Sequence, residues 1–267
     1  MDDIELLFER VRGAPFGLPK PLSTAYGGDL GIDDAHTYAN FVSSLDGVVA
    51  LRSGGESGGV VSGGSEADRF VMGLLRACAD AVVIGAGNFR HAPGAFWHAA
   101  HACPAYAQDF AQLRTQLGLR RPHPLLVLVT ASGKIDTAQP AVRDAWIATT
   151  RAGAERLRAT LPGAARVVVL EPDTVPLGSL LALLRSEGMG RVLTEGGPTL
   201  LGELMGAGLV DELFLTTSPR LFGRSPDDGR KSLIAGVDLG GLALELTSAR
   251  RHGSHLFLRY AVPKKGV

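Results

Sequence analysis

The sequence predicts an α/β fold in which a mostly parallel sheet carries an antiparallel edge near the carboxyl terminus. From His36 onward, short apolar runs alternate with segments of helical periodicity, which is typical of βαβ units. After Leu209 the helical periodicity stops and strand patterns follow one another, which favours an antiparallel edge. Glycine supplies 35 of the 267 residues. That is nearly twice the usual share of about 7%, so several turns need positive φ or a close approach.

The predicted strands are short apolar runs bounded by turn residues. They occupy residues 38–42, 81–84, 125–129, 146–149, 167–170, 191–194, 212–216, 242–247 and 256–261. The clearest helix begins after Ser65, because Ser65-Glu66-Ala67-Asp68 resembles a capping box with acids in its first turn. Its apolar face then follows at helical spacing, with Phe70, Val71, Leu74, Leu75 and Cys78. Further helices are expected within 106–117, 178–187 and 199–205.

Domain organisation is read from the same pattern. Residues 1–35 carry scattered glycine and proline with one short amphipathic piece, so we expect an N-terminal extension with weak structure. Residues 36–262 then form one domain. Residues 91–123, rich in alanine, histidine and proline, are expected to be an insertion in that domain.

Charge and cysteine content exclude several function classes. Lysine plus arginine and aspartate plus glutamate are 27 each, without a long run of either sign, which argues against nucleic-acid and anionic-membrane partners. Two cysteines are too few for a disulfide framework, so a reducing, cytoplasmic location is expected. The acidic start and the lack of an apolar run of about 18 residues argue against a signal peptide and a membrane span.

Two glycine turns suit a bound phosphate. Residues 191–201 predict a strand, the Gly196-Gly197 turn and a helix with Pro198 in its first turn. The free N–H groups and the dipole of such a helix favour an anion, although the glycines could equally just tighten a βα connection. Gly85-Ala86-Gly87 resembles half of a dinucleotide fingerprint, but Arg90 stands where the third glycine belongs. An ordinary Rossmann dehydrogenase is therefore disfavoured.

Other candidate segments are less specific. Asp46, in Ser44-Leu45-Asp46-Gly47, could bind substrate or simply form the turn. Residues 53–64 contain six glycines and could be a mobile lid or a flexible loop. The spacing from His98 to Cys103 matches no structural zinc pattern, so no metal is predicted. The motif of a P-loop is absent.

Taken in order, five motifs resemble the reductase domain of riboflavin biosynthesis. They are Ser44-Leu45-Asp46-Gly47, Leu75-Arg76-Ala77 followed by residues 79–87, Glu195-Gly196-Gly197-Pro198, Leu209-Val210-Asp211-Glu212-Leu213 and Ser218-Pro219-Arg220-Leu221-Phe222-Gly223. The resemblance covers roughly residues 36–262. It implies a three-layer, dihydrofolate-reductase-like fold and a homodimer. The zinc deaminase motifs of the bifunctional relatives are absent from this sequence, so a stand-alone reductase is expected.

The activity implied by the resemblance is reduction of a small molecule by NADPH. The ribosyl group of a 5-amino-6-ribosylamino-pyrimidinedione phosphate would become ribityl, with the ring-opened ribosylamine as hydride acceptor. No covalent nucleophile is required, because positioning suffices and water or a nearby carboxyl can donate the proton. Two alternatives stay open: a related reductase acting on a dihydrofolate-like pterin, and a nucleotide-binding module without turnover.

The resemblance also implies site residues. The cofactor would be bound by Gly85, Gly87, Asn88, Gly196, Gly197, Pro198, Thr199 and Leu200. Substrate would be bound by Asn40, Ser44 and Arg76, with Asp46 and Glu195 as catalytic residues. Arg76 suits a phosphate, although a solvated helix charge is the other interpretation. The chain departs from the family pattern at Asn40, often lysine, at Asn88, usually threonine, and at His91-Ala92-Pro93, where an acid usually precedes the proline.

Overall fold

A computed structural model describes residues 3–10, 16–51, 57–223 and 229–264. Its strands are β1 (Glu5–Glu9), β2 (His36–Ser44), β3 (Val48–Ala50), β4 (Ala81–Gly85), β5 (Leu125–Thr130), β6 (Trp146–Thr149), β7 (Arg166–Val168), β8 (Arg191–Thr194), β9 (Glu212–Ser218), β10 (Lys231–Ser232), β11 (Glu245–His252) and β12 (His255–Ala261). Its helices are α1 (Lys20–Tyr26), α2 (Ser57–Ser62), α3 (Glu66–Cys78), α4 (Ala86–Arg90), α5 (Ala99–Ala102), α6 (Ala107–Gln116), α7 (Arg151–Leu157), α8 (Leu177–Ser186) and α9 (Pro198–Gly206).

Ten of these strands form one sheet in the order β1-β11-β12-β9-β2-β8-β4-β5-β6-β7. Every neighbouring pair from β9 to β7 is parallel, whereas β12, β11 and β1 join antiparallel beyond β9. The predicted sheet, mostly parallel with an antiparallel edge near the carboxyl terminus, is therefore confirmed. Because β9, β2, β8 and β4 run parallel, their carboxyl ends meet at one edge of the sheet.

Helices cover both faces of the sheet and complete the predicted three layers. One face, which we call the α3 face, packs against α1, α3 and α6 and buries Leu22, Tyr38, Phe70, Leu74 and Phe110 almost completely. The opposite face packs against α8 and α9, with Val83, Leu181 and Leu201 in its core. Each fully buried large apolar side chain stabilises the fold by about 1.5–3 kcal/mol. These layers hold the strand ends in fixed positions.

Helix α3 begins where its capping residues predict. The Ser65 hydroxyl accepts the backbone N–H of Asp68 at 3.2 Å, and Glu66 and Asp68 lie in the first turn. Gly73 lets the next helices approach closely, since a Cβ there would lie 2.8 Å from the Phe110 ring. Residues 91–123, which we predicted to be an insertion, include α5 and α6 and pack directly on α3.

The weak structure predicted for residues 1–35 is wrong for the part of this segment that the structure describes. The amphipathic piece is strand β1, which pairs with β11, and residues 20–26 form α1. Ile4, Leu22 and Leu30 are 2%, 0% and 1% exposed. These short elements depend on partners more than 200 residues away in sequence, such as Leu6 opposite Arg250. Local periodicity therefore gave no sign of them.

The predicted strand at 242–247 begins at Glu245 and continues to His252. Leu242 and Leu244 are apolar because they pack on the core of the α8 and α9 layer from a loop, and not because they belong to the sheet. Strands β3 and β10 form a separate two-stranded ribbon that the sequence pattern did not predict.

Candidate active site

The predicted site residues come together at the carboxyl edge of the central strands. Strands β2, β8 and β4 are neighbours in the sheet. Each is followed by one of the polar or glycine turns, namely residues 44–47, 195–197 and 85–87. In open α/β sheets this edge is where ligands bind.

The two glycines after β8 have different roles. A Cβ on Gly196 would lie 2.6 Å from Leu200 Cδ2, so close packing requires glycine there. A Cβ on Gly197 would meet nothing within 4 Å. Gly197 precedes α9, in which Pro198 is the first residue and Thr199 is exposed. The turn therefore leaves open space over the N-terminus of a nine-residue helix, which suits a phosphate.

The turn after β4 is tied to the turn after β8. Asn88 Nδ2 donates to the backbone oxygen of Glu195 at 2.6 Å. Cβ atoms on Gly85 and Gly87 would meet their nearest neighbours only at 4.0 and 3.9 Å. The protein's own packing therefore does not require these two glycines. Of the other predicted cofactor residues, Pro198 and Leu200 are buried. The contacts of these residues with a cofactor stay predictions.

Arg76 and Glu195 form a buried ion pair. Arg76 Nε lies 3.1 and 3.0 Å from the two carboxylate oxygens, and Nη2 lies 2.6 Å from Oε2. Each side chain is 8% exposed, and Arg76 Nη1 also donates to the Phe96 carbonyl at 3.3 Å. The interpretation of Arg76 as a solvated helix charge is therefore wrong. Its predicted contact with a substrate phosphate stays a prediction.

Asp46 holds two turns together. Its carboxylate accepts the Ser44 hydroxyl at 2.5 Å and the backbone N–H groups of Phe222 and Gly223 at 3.1 and 2.6 Å. The Ser44 hydrogen bond and these N–H groups hold the pKa of Asp46 below its usual range. Ser44 in turn accepts the Val48 N–H at 2.9 Å. Both residues thus build the turn after β2, while their predicted roles toward substrate stay predictions.

Asn40 lies on the α3 face of β2 and lines a small cleft. Val71 of α3 and Phe214 and Thr216 of β9 line the same cleft. The amide of Asn40 is the polar group that β2 offers there, in place of the lysine common in the family resemblance. Its predicted role in substrate binding stays a prediction.

Asp68 is a candidate that the sequence analysis missed. Its carboxyl interacts with the hydroxyls of Thr216 and Ser62, and Glu195 lies within electrostatic range. Burial raises the pKa of Asp68 to about 6, against the lowering effect of the Thr216 hydrogen bond. In the sequence, Asp68 was interpreted only as an acid in the first turn of the capped helix. The overlooked signal is its spacing, because Asp68 shares a helix face with Val71 and Leu75 of the apolar stripe.

The predicted lid falls partly on residues 52–56, which lie outside the described residues. Residues 57–62 form α2, whose Val61 is fully buried.

No group of three or more metal-ligating side chains occurs within the described ranges. His98 instead stacks on His123 with ring centres 3.9 Å apart, and burial lowers the pKa of His98 to about 4. No helix in the described part of the chain has the length and apolar character needed to cross a membrane.

Comparison with known proteins bears on the family and the fold. The RibD C-terminal domain model matches residues 35–258. The 2,5-diamino-6-ribosylamino-4(3H)-pyrimidinone 5′-phosphate reductase of Archaeoglobus fulgidus is 27% identical over 193 residues, which cover 70% of this chain and 82% of that protein. Among solved structures, a pyrimidine reductase-like protein from Corynebacterium diphtheriae has a TM-score of 0.73 at 22% identity and covers 91% of this chain and 99% of its own.

RibD from Acinetobacter baumannii has a TM-score of 0.60 at 19% identity. The match covers 90% of this chain and 60% of the RibD chain. These structural likenesses show the same fold, and the family model extends over most of the sequence. The family resemblance drawn from the five motifs is thereby confirmed: the chain belongs to the RibD C-terminal domain family.

Proposed function

We propose that this protein is an NADPH-dependent reductase that converts the ribosylamino group of a pyrimidine phosphate to ribitylamino. The proposal rests on one observation. Two glycine turns and a buried Arg76–Glu195 ion pair lie together at the carboxyl edge of the sheet. The relative from Archaeoglobus fulgidus, named as a reductase of a ribosylamino-pyrimidinone phosphate, supports this substrate class.

The residues around the glycine turns fit a dinucleotide phosphate. Gly197 leaves open space, and the first turn of α9 offers backbone N–H groups together with the positive end of the helix dipole. The exposed Thr199 hydroxyl adds a donor beside them. When bound, NADPH supplies the hydride. Asn88 keeps the two glycine turns in register through its hydrogen bond to Glu195.

On the substrate side, Asn40 and Glu195, at the carboxyl edge of the sheet, would bind the pyrimidine and its open-chain sugar. Glu195 is fixed by Arg76, so its orientation toward the sugar hydroxyls does not depend on ligand. Such fixed groups hold the reacting carbon in one orientation. Holding reactants in a productive orientation is how positioning contributes to catalysis.

The test mixes the purified protein with NADPH and either the pyrimidinedione or the diaminopyrimidinone form of the ribosylamino phosphate. We expect nicotinamide absorbance to fall and the ribityl product to form with at least one of them. Oxidation with dihydrofolate alone would replace the proposal by a pterin reductase. Tight NADPH binding without oxidation by any acceptor would replace it by a binding module.

The glycine turns are tested separately by Gly197→Asp. A carboxylate facing the pyrophosphate should weaken NADPH binding by at least about 100-fold, since repulsion and bulk act together. Ala207→Asp, at the other end of α9, is the matched control, because Ala207 is exposed and has a helical backbone; it should leave the affinity unchanged. Unchanged affinity in a folded Gly197→Asp protein would place the cofactor elsewhere.

We also propose a homodimer in the cytoplasm. Strand β1 is an edge of the sheet, and its Leu6, Leu7 and Phe8 are 43%, 49% and 43% exposed, which favours a second copy as partner. Both cysteines are free, which agrees with a reducing compartment. Light scattering should give twice the chain mass, and a monomer across working concentrations would overturn the dimer.

A further inference from the structure

One side of the antiparallel part of the sheet is apolar and exposed. Phe257 of β12 points to the α3 face and joins its core. Successive side chains of a strand alternate between the two faces of a sheet, so Leu256 and Leu258 lie on the opposite side. Leu256 is 37% exposed and Leu258 is half-buried. A sheet face in contact with water usually carries polar side chains, whereas these two positions carry leucine.

The strand register extends this apolar surface over the neighbouring strands. Leu258 lies opposite Ala249 of β11, and Ala249 lies opposite Phe8 of β1. Leu246 of β11 lies on the same side, opposite Tyr260. Phe8 and Leu246 are 43% and 36% exposed. We use the name open face for the side chains of Phe8, Leu246, Ala249, Leu256 and Leu258. Among the described residues, none of these five belongs to either hydrophobic core.

The packing of this chain ends at the border of the open face. The core under α8 and α9 includes Leu215 of β9 and Tyr260 of β12, which lie next to Leu258 and Leu246. The three internal segments outside the described residues, at 11–15, 52–56 and 224–228, have five residues each. Neighbouring strands lie about 4.8 Å apart, so a five-residue segment with both ends joined to the fold is too short to cover three strands. Another molecule is the better candidate for a cover.

The charges on this side of the sheet form a neutral pair. Arg251 of β11 lies in register with Leu256 and with Glu5 of β1. Nε and Nη2 of Arg251 lie 3.0 and 2.6 Å from Glu5 Oε2, and both side chains are about half exposed. A partner with one dominant sign of charge would repel one member of this pair. A second copy of the chain, rotated by 180°, can place its basic group next to the acidic group of the first, so its charges are complementary.

We propose that the open face is where a second copy of this chain docks, an inference that deepens the homodimer proposed above. Two such faces would pack about 10 Å apart, as the two sheets of a β-sandwich do. Each copy offers the same apolar residues to the other, so the contact is isologous. The interface lies on the face of the sheet and not along the backbone edge of β1.

Leu246→Lys and Leu256→Lys, made as separate variants, test the proposal. Val169→Lys is the matched control, because Val169 is 43% exposed and lies beside β7 at the other end of the sheet. Analytical ultracentrifugation measures the dissociation constant of the dimer, and circular dichroism checks folding. Each leucine variant should weaken the dimer by at least about 10-fold, since two ammonium groups would enter an apolar contact. The control should dimerise like wild type.

A measurement on the wild-type protein keeps the test independent of variants that fail to fold. Hydroxyl-radical footprinting, read by mass spectrometry, is carried out over a dilution series that dissociates the dimer. Phe8, Leu256 and Leu258 should be modified several-fold more slowly in the dimer than in the monomer. Leu221, which is 74% exposed at the carboxyl edge, should be modified equally in both and is the internal control.

The outcomes separate the surface from the oligomeric state. A wild type that is monomeric at every concentration would overturn the homodimer, and the docking surface would fall with it. A dimer that resists both lysine substitutions and leaves Leu256 and Leu258 unprotected would overturn the open face alone. Protection confined to Leu6 and Leu7 would place the contact at the β1 edge instead.

Discussion

The turn that contains Asp46 and the turn that contains Asp68 place the same side chain in opposite environments. Asp46 follows β2, and hydrogen-bond donors surround its carboxylate and lower its pKa. Asp68 begins α3, where burial raises its pKa to about 6. The comparison shows that an acid next to a ligand site takes its role from what its oxygens contact. Hydrogen bonds favour the anion of the turn acid, whereas burial favours the neutral form of the helix acid.

The largest effect is expected from Arg76→Met, which removes the cation that neutralises Glu195 beside Asp68. A buried carboxylate without its partner should lower the free energy of unfolding by about 3–5 kcal/mol. The pKa of Asp68 should also rise further, since Glu195 would repel a second charge more strongly. Urea denaturation and carbon-13 NMR of the carboxyl groups measure the two quantities.

Its control is the double variant Arg76→Met with Glu195→Gln, which removes both charges. It should recover part of the lost stability. If the single and double variants lose the same free energy of unfolding, the unpaired charge of Glu195 is not what destabilises the single variant.

A smaller effect is expected on stability from Asp68→Asn. The folded pKa of Asp68 lies above the unfolded value of 3.8, so the folded state binds more protons between these values. Wild-type stability should therefore fall as the pH rises from about 4 to about 6, and the variant should escape that loss. At neutral pH we expect Asp68→Asn to be more stable by about 2 kcal/mol. Urea midpoints at pH 4 and 7 test this, and a less stable variant at both would contradict it.

The smallest and most local effect is expected from Asp46→Asn. The folded pKa of Asp46 lies below the unfolded value, so its contribution to stability is present above that value and is lost as the pH falls through the folded pKa. The variant should weaken the acceptors for Phe222 and Gly223 and speed hydrogen exchange of these two amides. Exchange elsewhere in the sheet should not change. Slower or unchanged exchange at both amides would contradict the anchoring role.

The central sheet was well predicted because its strands are buried on both faces. Strands β6 and β8 begin and end at the predicted residues, since continuous apolar runs bounded by turn residues specify such strands locally. The glycine turns were predicted as well, because glycines stand at the ends of the apolar runs of β4 and β8. Strand β1 and helix α1 were not, because their stability comes from contacts with β11 and from residues such as Arg250, whose guanidinium binds the Tyr26 carbonyl.

The sequence named candidate site residues, but it did not show the contacts between them. Sequence placed Arg76 and Glu195 in one site, but it gave no indication that they bind each other across 119 residues of chain. Asp68 was assigned to the helix cap, and its backbone does take part in that cap. Only its packing against β9 and α2 shows that burial raises the pKa of its carboxyl to about 6. Local patterns report backbone roles, whereas pKa values depend on tertiary neighbours.

The most direct measurement is the fate of a labelled hydride. Purified protein, NADPH carrying deuterium at both positions of the nicotinamide C4 and the two ribosylamino pyrimidine phosphates are mixed, and the product is analysed by mass spectrometry. We expect a ribityl product with deuterium at the former C1′ of the ribose. Recovery of both unlabelled ribosylamino compounds, with NADPH unoxidised, would contradict it.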